Sequence, residues 1–236
     1  MNKDSCAVNI LELSKKVLHR LAKMDFEKRE GNSDEKLIFP SKFQANGEED
    51  ERISEQELRF IFVEEFRNAY PNLYYSIETP TKKKYKLAKN TKDHKTEDGR
   101  SASHDLSIYK RDSNKYSRIL NIEFKYKNSS EQYTSKDILK LIYEDQDAAF
   151  IYLVKNTSKR TLPSMFEKLK GAFLEYKATK WINKNKTIML VILSLEQKKL
   201  VHFSINDLAD LDAVFKIEKV NINDFIGSDG WGSYII

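Results

Sequence analysis

The stretch RILNIEFKYKN, residues 118 to 128, sets Glu123 and Lys125 into a run of Ile, Leu, Phe and Tyr. Strand alternation puts Asn121, Glu123, Lys125 and Lys127 on one face and Leu120, Ile122, Phe124 and Tyr126 on the other, a charged row backed by a core. An earlier stretch, SASHDLSIY (101 to 109), repeats the division, with Leu106 and Ile108 apolar and Ser103, Asp105 and Ser107 polar. Paired as a hairpin, the two strands bring Asp105 and Glu123 together. Adjacent carboxylates repel, and a hard divalent cation between them relieves the repulsion. Such an ion acidifies water and neutralises phosphate charge, while an ammonium at Lys125 orients the nucleophile or stabilises developing negative charge. That equipment suits hydrolysis of a phosphodiester.

Glu-x-Lys by itself is common in a chain this rich in both residues, and recurs at Glu175/Lys177 and Glu196/Lys198. The first recurrence falls in an expected helix, where positions two apart point to different sides, and the second in an expected turn. Glu123 and Lys125 share a strand face among apolar neighbours, an arrangement that a solvated strand face would also show.

The elements that must position these residues follow from hydrophobic period and breakers. A helix is expected from Ser54, an N-cap with Glu57 as its capping-box partner, through EQELRFIFVEEFRNAY to the residue before Pro71. Strands are expected at 73–79, 101–109 and 117–126, then a short helix at SKDILKLIYED and a buried strand at AAFIYLVKN. A helix follows with Leu162, Phe166, Leu169, Phe173 and Tyr176 on one face, then strands at TIMLVILSL, KLVHFSI and AVFKIEKV and a flexible Gly-rich tail. This order describes an α/β layer around a mixed sheet.

Ahead of it, Ile10, Leu13, Val17, Leu21 and Met24 mark an amphipathic helix over Val8 to Met24, and the polar stretch from Phe26 to Arg52 reads as a loop or linker. The expected division is therefore an N-terminal helix and linker over 1–50 and a main domain over 51–236. Within the latter, a catalytic core spans 54–155, and a C-terminal helix and strands span 161–236.

Composition sets outer limits. The chain of 236 residues is 40% apolar, enough for a sizeable core, and its 41 basic and 36 acidic residues leave a net charge of only +5. A polyanionic partner is permitted, not required. No run approaches a membrane span, the N-terminus lacks the apolar middle of a signal peptide, and Cys6 is the single cysteine. The expected setting is soluble and cytoplasmic.

The order of these features resembles the PD-(D/E)-x-K nuclease superfamily, whose pattern is a helix with a Glu, a strand with an Asp and a next strand with Glu-x-Lys. Here the matching segments are SEQELRFIF, SASHDLSIY and NIEFKYK, within residues 54 to 127. Locally they are similar to the archaeal Holliday-junction resolvases, with a Glu-x-Glu-Leu signature on the helix and a Ser-rich approach to the Asp. His104 stands where the name-giving Pro would be. The resemblance implies a restriction-endonuclease-like fold with a central mixed sheet of four or more strands flanked by helices, and an N-terminal helical extension here. It also implies a Mg²⁺-dependent endodeoxyribonuclease, with Mn²⁺ as substitute. Asp105 and Glu123 would be metal carboxylates, the carbonyl of Phe124 a further ligand and Lys125 the catalytic lysine. The helical acid would be Glu55, with Glu57 held as alternative and better suited to capping. DNA is the implied partner, the assembly a homodimer, and the setting a restriction-type or defence system with possible partner proteins of its own.

Between the first two strands, seven lysines fall from Lys82 to Lys95 against Asp93 alone. Lys82, Lys83, Lys84 and Lys86, with Arg100, Ser101 and Lys127, are the candidate phosphate contacts, though a solvated Lys loop would look the same. The four histidines show no metal-ligand spacing, and His104 is expected to alternate to the face opposite Asp105. The aromatic-rich helix from Leu162 reads as core or dimer surface. Readings from other classes are a DNA-binding module of the same fold without chemistry, a nuclease for RNA or branched DNA, and a structural subunit with inert charged faces.

Overall fold

The computed structural model describes residues 8–30, 36–43, 45, 47, 49–86, 95–127, 129–157, 161–175, 186–207, 211 and 232–235. Helix α1 (Ile10–Glu30) buries Ile10, Leu13, Val17, Leu18, Leu21 and Met24, the period-3.6 stripe its sequence spells out. The segment expected as a loop carries more structure than its polarity suggests. The helix continues to Glu30, and strands β1 (Ser41–Phe43) and β2 (Glu49–Glu51) pair antiparallel. Just before β1, Phe39 is buried in the same core as α1 and Leu37 packs against it, so two apolar side chains anchor a largely hydrophilic stretch.

Helix α2 (Glu55–Ala69) starts on the capping box that Ser54 and Glu57 announce. The Ser54 hydroxyl accepts the Gln56 N–H at 3.2 Å, and the Glu57 carboxylate accepts the Ser54 N–H at 2.8 Å. Leu58, Ile61, Phe62 and Phe66 face inward, and the helix stops before Pro71.

Seven strands form one mixed sheet in the order β3 (Tyr74–Lys86), β4 (Lys95–Asp112), β5 (Lys115–Tyr126), β6 (Asp147–Val154), β7 (Ile188–Ser194), β8 (Lys199–Ile205) and β9 (Gly232–Ile235). The β5–β6 and β6–β7 pairs are parallel and the others antiparallel. Helices α3 (Glu131–Tyr143) and α4 (Thr161–Glu175) make the two parallel crossovers and pack on one face with Phe150, Tyr152, Leu190 and Ile192. Helices α1 and α2 cover the other with Leu106, Ile122, Phe124 and Ile151. From Ala148 to Val154 in β6 and from Ile188 to Leu193 in β7 the residues are apolar because both faces of these strands are covered.

The sheet is thus larger than four strands. Its last member corrects the expectation of a flexible Gly-rich tail, because Gly232 to Ile235 pair with β8 from His202↔Gly232 to Lys199↔Ile235. Alternating backbone pairing, not side-chain burial, holds β9 in place, and composition carries no signal for that. The strand expected at AVFKIEKV lies outside the described residues. Among the described residues, no helix is long and apolar enough to cross a membrane.

Candidate active site

The β4–β5 ladder runs from Asp112↔Lys115 to Leu106↔Ile122 and is not paired beyond it. One step further, the Asp105 carboxylate accepts the backbone N–H of Phe124 at 2.7 Å, so a side chain takes the amide that a continuing partner strand would have served. On the other side of β4, the pairs Ile77↔Leu106 and Thr79↔His104 leave Glu78 opposite Asp105 with a left-handed backbone, φ 48. The strands separate where the candidate carboxylates sit.

Beside that opening, the His104 ring is fully buried and its Nδ1 lies 2.7 Å from Glu123 Oε1. The expectation for His104 concerned only Asp105; its contact is with the other acid.

From Glu123 a chain of alternating charges runs through the site. Lys140 Nζ lies 2.8 Å from Glu123 Oε1, 2.8 Å from Asp137 Oδ1 and 2.6 Å from the Ser103 carbonyl. The second Asp137 oxygen, Oδ2, is 2.7 Å from Lys125 Nζ, which is 3.8 Å from Glu55 Oε2 at the start of α2. Asp105 stands beside the chain, with Oδ1 4.0 Å from Arg59 of α2. Elements α2, β4, β5 and α3 thus bring Glu55, Asp105, Glu123 and Lys125 into one electrostatic unit. Glu57 is committed to its cap.

Asp137 and Lys140 escaped the reading of the sequence. Both lie on α3, three residues apart and therefore on one side, between Ile138, Leu139 and Leu141. Charges in a helix are ordinarily solvated, and only the apolar neighbours on both sides hint that this pair is buried.

Burial pushes the Glu123 carboxyl well up, against the pull of Lys140, and Asp137 and Asp105 push it further. Burial likewise raises Asp105, opposed by the Phe124 N–H, and raises Glu55 with help from Asp105 and Asp137. For Asp137, burial is outweighed by Lys140 and Lys125, and its pKa falls below the ordinary value. Burial disfavours the charged forms of both lysines, but Asp137 and Glu55 overcome it at Lys125, and Glu123 and Asp137 at Lys140, so both ammonium groups are held above their usual range. Burial, with Lys140 next, drives His104 down to about 2, so its imidazole is neutral.

Compared with protein-family models, with curated proteins and with solved structures, the chain matches none. The donors of the site are hard carboxylate oxygens, and the proton affinity of Glu55, Asp105 and Glu123 is raised by burial and by Asp137; that donor chemistry fits Mg²⁺ or Mn²⁺. As they stand, no three His, Cys, Asp or Glu side chains among the described residues are grouped to hold an ion. The cations in the network are Lys125 and Lys140.

A cleft of about 510 Å³ opens beside the network, lined by Glu55, Lys125, Asp137 and Lys140 and by Tyr126 and Tyr133. Of the expected phosphate contacts, Lys127 follows Tyr126 at the end of β5, exposed and with a left-handed backbone, φ 59. Lys82 and Lys83 are joined instead to the far end of α3, where their backbone N–H groups donate to the Glu144 carboxylate at 3.0 and 2.9 Å. Lys83 Nζ is also 3.1 Å from Asp145. Lys84, Arg100 and Ser101 are exposed, while the Lys86 side chain and residues 87–94 lie outside the described residues.

Proposed function

We propose that the chain is a metal-dependent nuclease that hydrolyses phosphodiester bonds in DNA, with a restriction-endonuclease-like core of the PD-(D/E)-x-K kind. The observation that carries this reading is the end of the β4–β5 ladder, where two carboxylates on adjacent strands, Glu123 buried and Asp105 partly so, adjoin a lysine held protonated at the wall of a cleft. Asp105, Glu123 and the Phe124 carbonyl would hold Mg²⁺, which when bound supplies acidified water and neutralises charge on the scissile phosphate.

The chain's own groups do the rest. The Phe124 N–H fixes the Asp105 carboxylate, and His104 Nδ1 and Lys140 orient that of Glu123. Lys125, kept cationic by Asp137 and Glu55, faces the cleft and stabilises charge that develops on phosphate oxygens. Glu55 lies within reach of Lys125 and adjusts its position. A restriction-type or defence endonuclease, working as a cytoplasmic homodimer, is the setting the resemblance favours.

One observation favours a second reading. Every carboxylate of the network already has a cationic or N–H partner within the chain, as expected of a DNA-binding module that has no use for an ion.

The test is incubation of supercoiled and linear DNA with the purified protein in Mg²⁺, Mn²⁺ or EDTA, beside Asp105→Ala and Lys125→Ala. Metal-dependent cleavage by the parent, lost in both variants, supports the nuclease. Cleavage that survives both substitutions overturns the site, and salt-sensitive binding without any cleavage supports the module.

A further inference from the structure

The cleft has a second feature that the acid network does not use. Tyr133, in the first turn of α3, is 62% exposed at its wall, and Lys136, one turn further along, holds Nζ 5.6 Å from the centre of the ring. Tyr126, half-buried and also lining the cleft, repeats the pairing, with Lys127 Nζ 5.5 Å from its ring centre. The intervening loop is held by the core, since the Tyr152 hydroxyl donates to the Lys127 carbonyl and accepts the Ser129 N–H at 3.1 Å, and Lys168 Nζ donates to the Ser129 carbonyl at 3.0 Å. The wall that carries the two tyrosines is therefore anchored on both sides.

The Tyr133 ring offers a flat face for stacking, and here it comes with a cation and adjoins a site suited to phosphate chemistry. Lys125, Lys136 and Lys140 outnumber Glu55 and Asp137 along the cleft, and Lys127 stands beside the lining Tyr126, so the cleft favours an anionic occupant. A ring flanked by ammonium groups matches one nucleotide, the base lying on the ring and the phosphates on the lysines. Inside a continuous duplex both faces of every base are stacked on neighbours, and no face is free for a side chain.

The geometry points to a nucleotide subsite in which Tyr133 stacks on an unpaired base and Lys136 and Lys127 take the adjoining phosphates, so the strand bound is single-stranded or locally unpaired. This deepens the nuclease reading and rests on it for the identity of the polymer. Both DNA and RNA present the required base and phosphate, and they differ by the 2′-hydroxyl alone.

The test is binding of labelled short oligonucleotides by fluorescence anisotropy at low salt in EDTA, where no metal-dependent cleavage intrudes. Single-stranded DNA, its duplex and the matching RNA strand are titrated with the parent, Tyr133→Ala, Tyr133→Phe and Lys136→Ala. The parent should bind a single strand at least about tenfold more tightly than the duplex, Tyr133→Ala should forfeit about tenfold of that affinity, and Tyr133→Phe should keep it. Lys136→Ala should weaken binding and flatten its salt dependence. Equal affinity for single strand and duplex, or single-strand affinity indifferent to Tyr133→Ala, overturns the subsite. Because cleavage is read separately, a nuclease that prefers duplex would sink the subsite alone, and strand binding that depends on Tyr133 in a protein that never cleaves would sink the nuclease alone. Tighter binding of RNA than of DNA would assign the polymer to RNA.

Discussion

Lys140 on α3 and Glu123 on β5 form an ion pair at 2.8 Å with their side chains only 7% and 1% exposed. Desolvating both charges is costly, so the pair adds little net stability, whereas removing one partner strands the other. It ties a helix that lines the cleft to the strand that carries the candidate chemistry.

Lys140→Met should therefore cost about 3 kcal/mol, and Glu123→Gln combined with Lys140→Met should cost less than Lys140→Met alone. Urea unfolding of the four proteins measures it. A double variant as unstable as the sum of the two single variants would mean that the pair is not coupled.

At Lys125, charge rather than proton transfer is the expected contribution, because Asp137 and Glu55 hold the ammonium above its ordinary pKa of 10.5. Lys125→Met should slow metal-dependent cleavage about 10²- to 10³-fold, with Lys125→Arg in between. The pH–rate profile of the parent should show no break from this group below pH 10. A break that vanishes in Lys125→Arg would assign it a proton-transfer role instead.

Ser54→Ala removes the hydroxyl that accepts the Gln56 N–H and is expected to cost about 1 kcal/mol. Since Glu55 is the first residue of α2, fraying there also loosens its approach to Lys125, and cleavage should fall more than a global loss of stability explains. Chemical denaturation and a rate measured well below the unfolding transition separate the two effects.

Lys186, buried beside the end of α3, donates to the carbonyls of Leu141, Ile142 and Glu144. Burial lowers its pKa to about 8, with Lys83 adding to the fall. A folded-state pKa below the unfolded value of 10.5 means that the unfolded chain binds the extra proton between those limits, so stability should rise as pH climbs from about 8 to about 10.5. The gain is at most about 3 kcal/mol. Lys186→Met should lack it, and the difference between parent and variant denaturation midpoints across that window is the measurement.

The parts of the site that could be read from sequence are those governed by local rules. Ser54 and Glu57 announced the start of α2, and the alternation of β5 separated Glu123 and Lys125 from Ile122 and Phe124. What escaped depends on non-local packing. The contact of His104 with Glu123 joins residues 19 apart on two strands, and the burial of Asp137 and Lys140 follows from how α3 lies on the sheet. Likewise Phe39 and Gly232 gain their places from a core and a strand edge distant in sequence.

The bond between Asp105 and the Phe124 amide turns one backbone hydrogen into a reporter of charge. In an ordinary ladder an amide is guarded by a carbonyl, whose strength as an acceptor hardly varies with pH. Here the guard is a carboxylate, and it weakens when it takes up a proton. Deuterium uptake at Phe124, compared with that at Ile122 inside the ladder, would then follow the ionisation of Asp105 within the folded protein, without any label placed in the site.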